Sequence, residues 1–83
     1  MKLVVLPNGD AVRPDVVRSV EYLEPIEEKY VGDIKLAGHA PRVAVRTEGG
    51  GCILIRCHAP IYAVKTRDTI IKDVNDALAE ASA

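Results

Sequence analysis

The chain has no tryptophan and no phenylalanine, and three tyrosines in 83 residues. A large aromatic core is excluded, and the stacking platform on which single-strand nucleic-acid binders hold successive bases is poor. Charge of one sign is missing as well: eleven Lys and Arg stand against twelve Asp and Glu, for a net charge of -1. No overall field draws such a chain to nucleic acid or to an anionic membrane, so only a local basic patch would do so. Long apolar runs are also lacking. Leu3-Val4-Val5-Leu6 meets Pro7-Asn8-Gly9-Asp10 after four residues, too few for a signal peptide or a membrane span. Two cysteines without an export signal are expected as free thiols in a reducing, cytoplasmic compartment.

What is present is aliphatic. The hydrophobic fraction is 48%, supplied by Val, Ala, Ile and Leu. This length makes one domain, residues 1–83, in which roughly 60% of the unfolded chain's surface is buried. The core is thin, and pairing of two copies is a natural way to bury more apolar area.

Leu3 to Leu6, the Asn8-Gly9 turn and Ala11-Val12-Arg13 read as a hairpin. Pro14 to Val17 reads as one helical turn, with Pro presetting φ and Asp15 near the positive end of the dipole. Arg18 to Glu24 alternates as a strand and ends at Pro25. Residues 25–40 have no clean period and contain Pro25, Gly32 and Gly38, which predicts a long connection with room for a short strand. Arg42 to Thr47, the Glu48-Gly49-Gly50-Gly51 turn and Cys52 to Cys57 form the clearest hairpin.

The period then becomes helical. Val64, Ile71, Val74, Leu78 and Ala81 fall on one face, with Ala63, Ile70 and Ala77 at its edge. Pro60 and Thr66 compete as the start, and Pro60 is preferred because Ile61 and Val64 already lie near the apolar face. The fold class expected is α+β: an antiparallel sheet of four or five strands, built from two hairpins, covered by one C-terminal helix. A half-barrel of the pleckstrin-homology kind is one form such a sheet could take.

Two stretches resemble each other, His39 to Thr47 (HAPRVAVRT) and His58 to Thr66 (HAPIYAVKT). Their flanks disagree, since Thr47 leads into a glycine turn and Thr66 into a helix, so they mark two element boundaries and not a duplication. Cys52 and Cys57, five residues apart on one strand, point to opposite sides about 16 Å apart, too far for a disulfide or a shared metal. His39 would have to fold back to complete a metal site or a nucleophile pair with Cys57, and no motif around either resembles one. No catalytic residue, metal or cofactor is expected.

The second hairpin carries a sharper inference. Placing Val45 opposite Ile53 and Val43 opposite Ile55 keeps all four inside, which sets Arg42 against Arg56 and Arg46 against Cys52 on the other face. Opposed like charges call for an acidic neighbour: either Glu21 or Glu24 on the preceding strand, or an external acidic ligand. Arg42, Arg46 and Arg56 around an exposed Leu54 look like an interface, an apolar centre with an Arg rim. A protein partner or a second copy is the preferred ligand; nucleic acid or phosphate is the alternative, and a membrane is not expected.

The stretches LPNGDAVRPDVVRSVEYLEP, PRVAVRTEGGGCILIRC and TRDTIIKDVNDALAEA resemble short uncharacterised bacteriophage and prophage proteins. Those open with an LPNG hairpin and close with a single helix. The resemblance implies a compact sheet with one helix, a bacterial cytoplasm and a host or phage protein as partner. It carries over no activity and no site, and residues 25–40 depart from it most.

Overall fold

The computed structural model describes residues 2–82. The chain is α+β, with every strand pairing antiparallel and one long C-terminal helix. Val4–Val5 (β1) pairs with Ala11–Val12 (β2) across the Asn8-Gly9 turn. Pro14–Val16 forms one 3-10 turn, and Val17–Leu23 (β3) follows it directly. Lys29–Val31 (β4) pairs with Ile34–Leu36 (β5), Arg42–Thr47 (β6) leads into the glycine turn, and Cys52–Arg56 (β7) returns. The helix α1 spans Pro60–Ser82.

The largest sheet has three strands in the order β3-β6-β7, flanked by the two-stranded β1-β2 and β4-β5. The expected sheet of four or five strands is therefore divided into smaller pieces. No closed barrel forms among the described residues.

The expected hairpin register holds at every pair. Val45 faces Ile53, Val43 faces Ile55, Arg42 faces Arg56 and Arg46 faces Cys52. One face of this sheet packs on α1 and the N-terminal hairpin, with Val43 and Val45 wholly buried beside Ile55, Leu6, Val4 and Val12. At about 1.5–3 kcal/mol per buried aliphatic side chain, these few valines and isoleucines carry most of the stability.

The helix starts at Pro60, whose fixed φ suits the first turn, and the carbonyl of Ala59 accepts from the Tyr62 and Ala63 N–H groups. Its buried line is Ala63, Ile70, Val74 and Ala77, while Ile71 is 38% exposed and Ala81 is exposed. The apolar face is thus centred on residues expected at its edge. Ala63 and Ala77 are both buried on this face, where longer side chains would hold the helix off the core.

Residues 25–40 are an ordered arm and not a loose connection. The register that pairs Leu23 with Arg42 is kept by Ile26 with His39, Lys29 with Leu36 and Val31 with Ile34. β3 and β6 thus continue outward as one two-stranded ribbon, about 40 Å long from Ser19 to Val31 at 3.3 Å per residue. Gly32, with φ of +61°, opens the two-residue turn at the tip, the place a type II′ turn reserves for glycine. Nearer the base, a Cβ on Gly38 would lie 2.7 Å from both the Glu28 nitrogen and the Ile26 carbonyl oxygen, so the two strands meet there only because this residue has no side chain. The arm makes the molecule long: its extents are 58 × 27 × 18 Å and its radius of gyration is 15.3 Å, against about 12 Å for a compact chain of this length.

Candidate functional site

The sheet face turned away from α1 is built by three strands in three rows. Ser19, Arg46 and Cys52 form the first row, Glu21, Ala44 and Leu54 the second, and Leu23, Arg42 and Arg56 the third. On it Leu54 is 48% exposed and Cys52, Arg46 and Arg56 are exposed, while Arg42 is half-buried and Ala44 fully buried. All four expected binding residues, Arg42, Arg46, Arg56 and Leu54, are brought together on this surface.

The three arginines differ in electrostatic state. Arg46 donates its Nε–H to a carboxylate oxygen of Glu21, a residue expected beside Arg42 and Arg56 that pairs with Arg46 instead. That hydrogen bond, and then the charge of Glu21, raise the Arg46 pKa above its ordinary value. The pair is exposed and close to neutral, so it contributes little to stability or to the surface potential. Arg42 and Arg56, directly opposed, have no ion-pair partner among the described residues. The Nε of Arg42 is buried without an acceptor. A buried donor left unsatisfied costs about 1–3 kcal/mol, more when it is charged. Glu24, the other carboxylate expected to face these arginines, makes no ion pair among the described residues.

The cysteines and histidines do not gather. Cys52 and Cys57 are both free thiols. The Cys57 sulfur lies 3.9 Å from the Ile55 carbonyl oxygen, and its backbone N–H donates to Pro41. His39 bridges Ile26 at the base of the arm, and His58 is exposed just before α1. No cluster of three or more His, Cys, Asp or Glu suited to a metal occurs among the described residues. Two shallow grooves of about 400 and 300 Å³ run between the N-terminal hairpin and α1, lined in part by Asp73, Asp76 and Glu80, away from the arginines. No described helix is long and apolar enough to cross a membrane.

Sequence reasoning missed the arm as a surface. Ile26, Tyr30, Val31, Ile34 and Leu36 are 42–68% exposed on it, an unusual run of large apolar side chains on one projecting element. The available signal was Val31-Gly32-Asp33-Ile34, a glycine-first hairpin turn between β-branched residues. Comparison with protein-family models finds no match, and comparison with curated proteins and with solved structures finds none either.

Proposed function

We propose that this chain is a non-enzymatic protein-interaction module that binds an acidic, partly apolar protein surface through the outer face of its sheet. The observation that carries the reading is the opposed Arg42 and Arg56, without a counter-ion among the described residues and beside exposed Leu54. Two cations held at one place on a rigid sheet present N–H donors in planar forks, the geometry that carboxylates accept in pairs. Leu54 adds the apolar centre that interfaces place inside a polar rim. The likeness to phage and prophage proteins rests on the quoted stretches alone. Within this proposal it makes a host or phage protein in a bacterial cytoplasm the first partner to seek.

A peptide-display selection tests this reading. Wild type should enrich sequences that combine Asp or Glu with aliphatic residues, and the Arg42→Glu, Arg56→Glu double variant should lose that enrichment. Equal enrichment by both proteins would overturn it. A titration with random DNA at low salt separates the phosphate reading, because counterion release makes that binding strongest there and steeply salt-dependent. Tight, salt-sensitive DNA binding that both arginines support would move the assignment to nucleic acid.

A further inference from the structure

We propose that the acidic, apolar partner is a second copy of this chain, bound face to face about a two-fold axis that crosses the ribbon near Pro25 and Ala40, each arm lying on the other copy's arginine face. The inference rests on the interaction-module reading above and names its partner.

The first support is area. The chain exposes 5748 Å², whereas a compact monomer of 9.0 kDa exposes about 4,850 Å². The excess of roughly 900 Å² matches the ~800 Å² that each partner buries in an interface of standard size. The arm accounts for much of it, since residues 24–40 are exposed throughout.

The second support is charge. The arm carries Glu24, Glu27, Glu28 and Asp33 against Lys29 and Lys35, and Lys35 is already paired with Glu28. The outer sheet face carries Arg42, Arg46 and Arg56 against Glu21. On the side of the ribbon shared with Arg42, strand alternation places Glu27 and Lys29, and a head-to-tail alignment of two copies sets Glu27 toward the arginines and Lys29 toward Glu21, twice over.

The third support is register. Because pairing keeps one register from Leu23 with Arg42 to Val31 with Ile34, positions along the ribbon can be matched through the axis. Leu36 lies four residues before Ala40 and Ala44 four after it, so Leu36 meets the row of Ala44 and Leu54 in the other copy. Glu27, across the ribbon from Gly38, meets the row of Arg42 and Arg56. Lys29, paired with Leu36, meets the row of Glu21, and Val31 with Ile34 meets the row of Arg46 and Cys52. Strand alternation sets Val31, Ile34 and Leu36 on the same side of the ribbon as Arg42 and Ala44. Leu36 thus finds Ala44 and Leu54, Glu27 finds the arginine row, and Lys29 finds Glu21.

Sedimentation velocity across a micromolar to millimolar series tests the proposal. Wild type should move to twice the chain mass, while Arg42→Glu with Arg56→Glu and, separately, Glu27→Lys should each weaken self-association about tenfold or more. Mixing the two variants restores complementary charge at both contacts and should recover a one-to-one dimer. Circular dichroism confirms that each variant is folded. Register is read separately: Ile34→Cys should cross-link to Cys52 of a second copy under a mild oxidant, and adding Cys52→Ser should abolish the product. Wild type that stays monomeric, or a variant mixture that does not associate, would overturn the dimer. A monomer that still selects acidic-aliphatic peptides overturns this inference alone, and one that selects none overturns the interaction reading too.

Discussion

The body and the arm share one pair of strands and one register, yet they are stabilised differently. In the body, Val43 and Val45 are wholly buried between α1 and the neighbouring strands, and each backbone pair is backed by apolar packing. In the arm the same ribbon continues with both faces in solvent, held by backbone hydrogen bonds, a glycine turn and the close approach at Gly38. An isolated two-stranded hairpin is marginal in water, so a ribbon of this length persists because the body fixes one of its ends. What the difference teaches is that pairing register can extend beyond the core that specifies it, and that the extension is then free to present its apolar residues outward.

Substitution in each region sharpens this contrast. Ile55→Ala should lower unfolding stability by about 2–5 kcal/mol in a urea titration, because it opens a cavity in a core with few large residues. Ile34→Ala on the arm, measured at low concentration, should stay within about 0.5 kcal/mol of wild type. Equal losses would show that arm and body unfold as one unit. Gly32→Val places a β-branched residue at a φ of +61°, which costs about 1–3 kcal/mol locally and should fray the tip while the body stays folded.

A finer separation comes from Gly38→Val. Its side chain would meet the backbone at Ile26 and Glu28, so the amides of Ile26 and His39, which bond to each other's carbonyls, should lose hydrogen-exchange protection. Protection at Val43 and Val45 should not change, and loss there would tie the arm to global stability. The smallest effect is expected from Glu21→Gln on the outer face. Removing this partner frees Arg46 and should tighten binding of an acidic peptide about two- to fivefold, with no resolvable change in thermal midpoint, as for other exposed ion pairs.

The β6-β7 hairpin was legible to the residue because two signals agreed: strict alternation with an apolar inner face, and a glycine turn that set the register. The start of α1 at Pro60 was legible for a similar reason, a residue with a single suitable φ placed before an apolar period. The helix face was off-centre because hydropathy ranks Ile71 above Ala63. The helix's approach to the core, which depends on residues far away in the chain, instead buries the smaller side chain. The arm was illegible as an element because prolines and glycines interrupt both strands and no face is buried, so neither strand shows a hydrophobic period. Of the candidate site, the four residues followed from register, whereas the pairing of Glu21 with Arg46 and the absence of a counter-ion for Arg42 and Arg56 among the described residues required the packed structure.

By itself, the sequence determined the local elements and the pairing of adjacent strands: the turns, the opposed arginines, the helix and its first residue. These depend on neighbours a few residues apart and on backbone preferences that side chains impose directly. Only the tertiary structure decided that β3 joins β6 across the arm, which side of α1 is covered, and that one face of the sheet carries two cations with no ion-pair partner among the described residues. Those outcomes rest on packing between distant segments, where the area buried by the whole chain outweighs the preference of any single stretch.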